Sequence, residues 1–366
     1  MKKILILTAG FGEGHNSAAR GLRDGIRKVS PEGAQVQLHD LFAETYGLGN
    51  DWARVLYMGM INRTPRVWRV IYRWLDRQEN FAPDFRVFVA LKNQLRRLLA
   101  RLQPDVVVSV YPAYPHMLDE LLAEAGAPQP RRVVVITDSI SVNAIWYRCS
   151  ADYFLLPNEE SAAVLLSAGI SAEKIRTFGF PVSPVFAQPG EVRLPPSDEA
   201  GRRVLYIINA ANSAAPQLVR RLAGLPEIEL TVTVGRSAGL KISVEKIRRT
   251  VTQEFETVAW SDELPRLLRT NHLVISKAGG ATVQEAMSAA CPMIINHIIP
   301  GQEEGNARFI VGANAGVVAL SHDAVIAAVQ KAFANDATAW REWSANISKL
   351  GRPTASLDIA RFLLSL

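Results

Sequence analysis

The chain has 366 residues, of which 48% are hydrophobic and 21% are charged. This composition excludes a disordered chain, and the length exceeds what one hydrophobic core usually supports, so we expect two globular domains. Two cysteines, Cys149 and Cys291, are too few for a disulfide framework and favour a reducing, cytoplasmic setting. No apolar run approaches the roughly 18 residues that cross a bilayer, so we expect membrane contact to be peripheral at most.

The first 186 residues alternate strand-like and helix-like runs. Continuous apolar runs such as "KKILILTA", "DVVVSV" and "RRVVVITD" are separated by helical segments. Strands without polar alternation are buried on both faces, which predicts a parallel sheet covered by helices. We therefore place a doubly wound, Rossmann-like α/β domain at residues 1–186.

The first strand ends in the glycine-rich loop "AGFGEGHNSAA", which opens a helix and contains Gly12 and Gly14. His15 stands at the start of that helix, where the helix dipole disfavours a cationic imidazole. We therefore expect His15 to be neutral and available as a general base. The alternative is a structural histidine that bonds the local backbone.

Residues 46–101 form a basic, aromatic segment of the first domain. Eleven Lys and Arg stand there against four Asp and Glu, so the segment carries the whole positive excess of a chain with formal net charge +6. Helical spacing after Thr64-Pro65 predicts a basic stripe beside aromatic residues, formed by Arg66, Trp68, Arg69, Arg73, Trp74 and Arg77. Such helices bind anionic membranes, and an ordinary solvated helix is the alternative. Nucleic acid is not expected, because no binding motif accompanies the charge.

Two further strand ends of the first domain carry polar candidates. Asp138 ends the buried strand in "VVITDS", where burial can raise the pKa of a carboxylate, so it is the rival candidate for the base. It can instead hold a loop amide. Tyr111 and His116 follow the strand "DVVVSV" and are candidates for lining an acceptor site, with simple packing as the alternative.

The second half of the chain repeats the same plan. Residues 187–201 hold three prolines without periodicity, and we interpret them as an interdomain linker. Strand and helix runs then alternate over residues 202–350, and residues 351–366 predict an amphipathic helix that packs back. Two Rossmann-like domains facing each other form a cleft, and open α/β sheets bind ligands at the carboxyl ends of their strands.

The loop "SKAGGATVQEA" joins a buried strand of the second domain to a helix. Its glycines allow a ligand to come close, and the first amides of a helix have no intrahelical acceptor, so the loop suits a phosphate or diphosphate. Glu285 is placed to bind a ribose diol. Alternatively, Thr282 and Glu285 form a capping box and the glycines only turn the chain.

The next strand leads into a second polar loop, "IIPGQEEGNARF". Amides beside carboxylates suit sugar hydroxyls, which both donate and accept hydrogen bonds. The loop supplies Gln302, Glu303, Glu304 and Asn306. A solvated helix start with favourable acids is the alternative. Two such loops in successive strand-helix units favour a ligand site.

The run "SKAGGATVQEAMSAACPMIINHIIPGQEEGNARFIVGANAGVV" resembles the nucleotide-sugar signature of one glycosyltransferase family. This family contains monogalactosyldiacylglycerol synthases and processive diacylglycerol glucosyltransferases, with the lipid II-forming N-acetylglucosaminyltransferase as a distant relative. "ILILTAGFGEGHNSAARGL" resembles its N-terminal loop and histidine. The likeness covers nearly the whole chain and is weakest at residues 45–100 and at the C-terminus.

The resemblance implies a GT-B fold and inverting transfer of a hexose from a UDP-sugar, without a metal or other cofactor, to a lipid such as diacylglycerol. Its motifs imply that the diphosphate meets Gly279, Gly280, Ala281 and Thr282, and that the ribose meets Glu285. They also imply that the sugar or nearby phosphates meet Gln302, Glu303, Glu304 and Asn306, and that the uracil lies near Gly235, Arg236 and Trp260. His15 is the family's catalytic candidate.

Three positions depart from the family pattern. Glu13 stands where glycine is usual, and Asn143 stands where the lipid enzymes commonly carry histidine. "YIINAANSAAPQ" replaces a glycine-rich loop, with Asn209 and Ser213 as substitute donors to phosphate. The expected partners are a UDP-sugar, a lipid acceptor and an anionic membrane surface, at the cytoplasmic face of the membrane.

Four alternatives remain open at this point. They are a glycosyltransferase with a non-lipid acceptor, a sugar-nucleotide epimerase of the same fold, a Rossmann oxidoreductase and a non-catalytic binding module. The oxidoreductase is suggested by "GFGEGH" and by Asp40 at the end of the second strand. Against it, His15 occupies the position of the last glycine in the dinucleotide-binding motif.

Overall fold

The computed structural model describes residues 1–47, 88–123, 129–140, 142–190, 193–197, 201–209, 214–300 and 303–366. The chain divides into two compact units. Unit 1 comprises Met1–Ala187, Pro300–Gly305 and Arg352–Leu366, and unit 2 comprises Gln188–Ile299 and Asn306–Gly351. Each unit contains one six-stranded sheet whose described strands all pair in parallel.

The sheet of unit 1 has the strand order β2-β1-β3-β4-β5-β6. Its strands are β1 (Lys2–Thr8), β2 (Ala34–Asp40), β3 (Val106–Ser109), β4 (Arg131–Val135), β5 (Tyr153–Leu156) and β6 (Ile175–Thr177). The chain runs outward from β1 to β2 and then returns to the other side of β1 to form β3. This reversal between β1 and β3 is the topological switch point, where open α/β sheets bind ligands.

The central strands of unit 1 are buried on both faces. Residues 4–7 of β1 and 106–108 of β3 are at most 2% exposed, and Ile4 pairs with Val106. Unbroken aliphatic runs suit this position, because helices cover both faces of a parallel sheet. The helices of this part of the chain are α1 (Glu13–Val29), α2 (Leu41–Tyr46), α3 (Val89–Leu102), α4 (Ala113–Ala123) and α5 (Glu159–Ser167).

The sheet of unit 2 has the strand order β12-β11-β10-β7-β8-β9, with its switch point between β7 and β10. Its strands are β7 (Arg202–Ile207), β8 (Ile228–Gly235), β9 (Glu256–Ala259), β10 (Leu273–Lys277), β11 (Met293–His297) and β12 (Gly316–Val318). The next helices are α6 (Ala215–Leu222), α7 (Ala238–Arg248), α8 (Leu264–Thr270), α9 (Gly280–Ser288), α10 (Glu304–Gly312) and α11 (His322–Ile347). The predicted doubly wound α/β architecture is confirmed in both units.

The last helix, α12 (Ala355–Ser365), packs against α1 within unit 1. Gly25 of α1 faces Ser356, and a Cβ atom at Gly25 would lie only 2.5 Å from the Ser356 carbonyl oxygen. Glycine is therefore needed for the two helices to come this close. Phe362 also meets Tyr153 of β5 edge-on, with 5.0 Å between the ring centroids.

Two linker residues, Arg193 and Leu194, form hydrogen bonds to residues of unit 2. Arg193 donates from Nη1 to the Asn271 carbonyl at 2.9 Å. His272 accepts at Nδ1 from the Arg203 backbone N–H at 2.9 Å and donates from Nε2 to the Leu194 carbonyl at 2.9 Å. Burial lowers the pKa of His272 to about 4, so the neutral imidazole makes both bonds at pH 7.

Candidate active site

The loops that follow β1, β3 and β4 meet at the carboxyl edge of the unit 1 sheet. The group that they bring together, which we call the histidine site, consists of His15, Tyr111, Thr137, Asp138 and Trp146. Gly12 is the N-cap of α1, which places His15 third in that helix. Both candidates for the base therefore lie in one cluster beside the switch point of this sheet.

Three side chains surround the imidazole of His15. Thr137 Oγ1 lies 3.0 Å from Nδ1, the Tyr111 ring packs edge-on at 5.2 Å, and the Trp146 ring centroid lies at 5.8 Å. Burial lowers the pKa of His15 to about 4, although a hydrogen bond to the Val110 backbone acts in the opposite direction. The imidazole is therefore neutral at pH 7.

Asp138 stabilises the loop that follows β4 through hydrogen bonds. Its Oδ2 accepts from the indole Nε1 of Trp146 at 2.9 Å, and the Asn143 backbone also bonds the carboxylate. Burial raises the pKa of Asp138 to about 6, and these two hydrogen bonds oppose the rise. The carboxylate is therefore mostly ionised at pH 7, and its hydrogen bonds hold Trp146 beside His15.

Two candidates for the acceptor side support the same loop. The Asn143 side chain caps the short 3₁₀ helix Ala144–Trp146 by accepting from the Ile145 N–H at 3.1 Å. His116 donates from Nε2 to the Ile145 carbonyl at 2.8 Å. Both side chains thus position the segment that carries Trp146, a structural role that their place in the sequence did not reveal.

Tyr111 packs against other aromatic rings at the histidine site. Its ring stacks on Phe11 with 5.9 Å between centroids and meets Phe42 edge-on at 5.7 Å. Burial and the nearby Asp40 carboxylate raise the pKa of Tyr111 to about 12, so the phenol stays protonated. It therefore contributes an aromatic ring to the site rather than a charge.

Asp40 bears on the oxidoreductase alternative. In dinucleotide-binding domains, an acid at the end of the second strand binds the cofactor ribose. Here Oδ2 of Asp40 accepts from the Gly10 N–H at 2.8 Å, and Oδ1 accepts from the Ala43 N–H at 3.0 Å. Both carboxylate oxygens are committed to the backbone, which argues against that alternative.

The first turn of α1 leaves space beside its glycines. A Cβ atom at Gly14 would meet no described atom within 4 Å, and one at Gly12 would meet only Cδ2 of His15, at 3.9 Å. Packing therefore does not require glycine here, whereas a ligand that approaches the helix amides would. Glu13 is exposed and forms an ion pair with Arg20 at 2.5 Å, which offsets its charge locally.

In unit 2, α9 begins without a side-chain cap. Gly279 is its N-cap, and its carbonyl accepts from the Val283 N–H at 3.0 Å. The amides of residues 280–282 therefore precede the first intrahelical donor. The capping-box alternative is wrong, because Thr282 and Glu285 lie inside the helix rather than at its N-cap.

Two hydrogen bonds position this helix start. Asn306 of α10 donates from Nδ2 to the Ala278 carbonyl at 3.0 Å, and the Ala278 N–H donates to the His297 carbonyl at 3.0 Å. Asn306 thus ties α10 to the residue that precedes Gly279. Glu285 is only 9% exposed within α9. We call residues 279–282, Glu285 and Asn306 the glycine site.

Other predicted donor contacts are placed only in part. Glu303 is buried, Glu304 begins α10, and Asn209 follows β7. The predicted residues outside the described part of the chain are Gln302, Ser213, Arg66, Trp68, Arg69, Arg73, Trp74 and Arg77. Among the helices that are described, none combines the length and apolar character needed to span a bilayer.

A third candidate group lies at the carboxyl ends of β8 and β9. The Arg236 guanidinium lies over the Trp260 ring, 4.1 Å from its centroid. The backbone N–H of Trp260 donates to the Gly235 carbonyl at 3.0 Å. Gly235 has φ of 58°, a left-handed conformation that favours glycine. Trp260 is 43% exposed, so this stack presents a cation and an aromatic ring to solvent.

Sequence reasoning missed two members of the histidine site, Thr137 and Trp146. Thr137 directly precedes Asp138, so the strand-end rule that selected Asp138 also points to it. No local pattern selects Trp146, because its role depends on how the loop folds back.

Within the described ranges, no group of three or more His, Cys, Asp or Glu side chains is placed to hold a metal ion. The chemistry that the described residues do offer is a neutral imidazole with an adjacent carboxylate in unit 1, and helix amides with a carboxylate in unit 2.

Two family models match the chain. Residues 15–182 match monogalactosyldiacylglycerol (MGDG) synthase, and residues 202–351 match the glycosyltransferase family 28 C-terminal domain. The resemblance drawn from the sequence motifs is thereby confirmed, and so is the prediction of a glycosyltransferase.

Similar proteins cover almost the whole chain. A probable monogalactosyldiacylglycerol synthase 2, chloroplastic, from Oryza sativa subsp. indica is 28% identical, over 98% of this chain and 80% of that protein. A processive diacylglycerol beta-glucosyltransferase from Bacillus subtilis is 23% identical, over 93% and 89%. Among solved structures, an S. aureus MnaA–UDP co-structure has a TM-score of 0.63 at 14% identity, covering 99% and 96%. Acinetobacter baumannii MurG has a TM-score of 0.61 at 15% identity and full coverage of both chains. These likenesses confirm the predicted GT-B fold.

Proposed function

With a monogalactosyldiacylglycerol synthase domain followed by a glycosyltransferase family 28 C-terminal domain, this chain is a glycosyltransferase, and we propose that it moves a hexose from a UDP-sugar to a lipid hydroxyl. The acceptor is a membrane lipid such as diacylglycerol, and transfer inverts the anomeric carbon. The observation that carries the proposal is the histidine site, where a neutral imidazole stands at the switch point of the unit 1 sheet.

The glycine site suits the diphosphate of the donor. The amides of residues 280–282 have no acceptor within α9, and the helix dipole favours an anion at this end. Donors that are already in place stabilise the charge that develops on departing UDP, so a divalent cation is not required. Glu285 is proposed to bind the ribose. The exposed stack of Arg236 on Trp260 offers an aromatic face to the uracil.

The sugar is proposed to meet the loop after β11. Gln302, Glu303 and Glu304 retain this role, which the family resemblance implies. Asn306 is proposed to act by holding the loop, because its Nδ2 already bonds the Ala278 carbonyl.

His15 is the proposed base. Asp138 already accepts hydrogen bonds from Trp146 and Asn143, so its oxygens hold the loop. As the acceptor oxygen attacks the anomeric carbon, its proton passes to His15. The bond from that carbon to the diphosphate oxygen breaks, and UDP leaves with the bonding electrons. The low pKa of His15 then favours release of the proton to solvent.

The lipid acceptor is proposed from the relatives. Two of them are named as a monogalactosyldiacylglycerol synthase and a processive diacylglycerol beta-glucosyltransferase. The positive excess of residues 46–101 supports contact with an anionic membrane surface. We therefore propose peripheral binding at the cytoplasmic face of a membrane, where both a UDP-sugar and a lipid are accessible.

A UDP-release assay tests this function. The protein is incubated with UDP-glucose, UDP-galactose, UDP-N-acetylglucosamine or UDP-glucuronate, with and without vesicles that contain diacylglycerol, and with EDTA. We expect release from one donor that requires diacylglycerol and persists in EDTA. Absence of both UDP binding and UDP release refutes the proposal. Conversion of the donor to its epimer without acceptor supports the epimerase, and release with only a soluble acceptor supports a non-lipid substrate.

A further inference from the structure

Thr137 is a member of the histidine site to which the proposed reaction assigns no role. It is 7% exposed just beyond β4, and its Oγ1 lies 3.0 Å from Nδ1 of His15. The two residues are 122 positions apart in the chain, so the fold rather than the local sequence creates this contact.

We propose that Thr137 is a positioning residue that fixes the orientation and tautomer of the His15 ring, so that Nε2 receives the proton of the acceptor hydroxyl. This inference rests on the function proposed above, because it assigns a task within that proton transfer. The hydroxyl of Thr137 acts through His15 and does not touch the substrate.

Two oxygens form hydrogen bonds to the His15 ring. The Val110 backbone, directly after β3, forms a hydrogen bond to the imidazole, and Thr137 follows β4. Because β3 and β4 are neighbours in the sheet, both oxygens come from the same strand edge. Thr137 Oγ1 faces Nδ1, so we assign the ring proton to Nδ1, where the hydroxyl accepts it, and this leaves the lone pair on Nε2.

Ring packing alone does not determine this arrangement. Tyr111 and Trp146 contact the imidazole through their rings, and the only N–H of the Trp146 indole donates to Asp138. An imidazole has nearly the same shape after a half-turn about its bond to Cβ, so such contacts tolerate both orientations. A hydrogen bond to one nitrogen distinguishes them, and Thr137 is the side chain that supplies it.

Three variants test the inference. Thr137→Val removes the hydroxyl and keeps the branched shape, whereas Thr137→Ser keeps the hydroxyl. Thr8→Val is the matched control, because Thr8 is 1% exposed at the end of β1 and its Oγ1 donates to Asn16 at 3.1 Å. Two properties are measured: the steady-state kinetics with the UDP-sugar (kcat and KM), and the His15 tautomer from ¹⁵N NMR, assigned with His15→Asn.

Wild-type protein should show one His15 tautomer, protonated at Nδ1. Thr137→Val should show a mixture and lower kcat about tenfold at an unchanged KM, as expected for loss of one hydrogen bond. Thr137→Ser should restore both quantities, and Thr8→Val should leave the tautomer unchanged. A single Nδ1–H tautomer with wild-type kcat in Thr137→Val overturns the inference, and so does a folded Thr137→Ser that fails to restore kcat. If no donor releases UDP but Thr137→Val still alters the tautomer, the proposed reaction fails and the positioning role stands.

Discussion

In each unit, burial lowers the pKa of one histidine to about 4, yet the two histidines are held differently. His272 in unit 2 bonds the backbone with both ring nitrogens, accepting from Arg203 and donating to Leu194. His15 in unit 1 stands at a switch point, next to one side-chain hydroxyl and two aromatic rings. A lowered pKa alone therefore does not identify a catalytic histidine. Position in the sheet and hydrogen-bond partners are what distinguish His15 as the candidate base.

The two candidate sites show a related contrast. The histidine site is built from side chains that bond and pack against one another, so its chemistry depends on their burial. The glycine site is built mainly from backbone amides at an uncapped helix start. Substitutions in the histidine site should therefore change turnover, and substitutions in the glycine site should change donor affinity.

The largest expected effect is on turnover after His15→Ala. Loss of a positioned base should lower kcat by about 10²- to 10⁴-fold, with little change in KM for the UDP-sugar. His272→Ala should leave turnover unchanged and lower the melting temperature, because it removes two backbone hydrogen bonds and no reacting group. UDP-release kinetics and thermal unfolding measure both. Full turnover in His15→Ala, or loss of turnover in a folded His272→Ala, would break the contrast between the two histidines.

The pH dependence of kcat/KM separates His15 from Asp138 as the base. A base works only when deprotonated, so the rate falls about tenfold per pH unit below its pKa. With His15 as the base the decline begins near pH 4, and with Asp138 it begins near pH 6. We expect the decline to begin near pH 4. Asp138→Asn should slow the reaction without shifting the pH at which this decline begins. Circular dichroism at each pH confirms that the protein is folded.

A decline near pH 6 that disappears in Asp138→Asn would assign the base to Asp138. Loss of turnover in Asp138→Asn, together with full turnover in His15→Ala, would give the same assignment. Either outcome would leave His15 as a structural histidine like His272.

The stability of unit 2 should depend on the protonation of His272. Its pKa falls from 6.5 in the unfolded chain to about 4 in the fold, so the unfolded chain binds the proton more tightly. The stabilisation that neutral His272 gives to the fold is complete above pH 6.5 and is lost as pH falls towards 4. The full shift corresponds to no more than about 3 kcal/mol of unfolding free energy, and solvent screening reduces it.

Denaturant unfolding of wild type, His272→Asn and the exposed control His297→Asn at pH 7.5 and pH 4.5 measures this loss. His272→Asn should be less stable at pH 7.5 and should depend less on pH. Equal pH dependence in all three proteins would show that the His272 bonds to Arg203 and Leu194 do not contribute as the geometry indicates.

The sequence was sufficient for the fold and for part of each site. The unbroken apolar runs at residues 4–7 and 106–108 predict buried parallel strands, and the rule that ligands meet strand ends selects His15 and Asp138. The bond from Thr137 to His15 was not predictable, because it joins residues 122 positions apart and depends on β4 lying next to β3.

The start of α9 was ambiguous for a different reason. The pattern Thr282-x-x-Glu285 satisfies the composition of a capping box, but the backbone at Gly279 begins the helix three residues earlier. Residue types alone do not determine which amide is the first of a helix, because the cap depends on backbone conformation. The roles of Asn143 and His116 were missed likewise, since both bond the backbone of a loop whose path the sequence does not specify.

Glu285→Gln tests whether the glycine site governs donor affinity. Loss of a charged acceptor for the ribose hydroxyls should weaken UDP binding about tenfold, while kcat at saturating donor changes little. Isothermal titration with UDP measures this, with the exposed Glu263→Gln as the control. Unchanged affinity would move the ribose away from α9. A fall in kcat without a change in affinity would contradict the division of roles between the two sites.

The smallest expected effect concerns the stack of Arg236 on Trp260. Trp260→Leu removes the ring on which the uracil is proposed to stack, together with the exposed cation–π contact, worth about 0.5–1 kcal/mol, that holds this ring, so UDP binding should weaken about two- to fivefold. Pyrophosphate binding should not change, because only the base stacks on the ring. Arg236→Lys keeps the charge but loses the planar guanidinium, so it should weaken UDP binding to a similar extent as Trp260→Leu. Equal losses for UDP and pyrophosphate would mean that Arg236 serves the phosphates, and the diphosphate site would then extend from α9 to the end of β8.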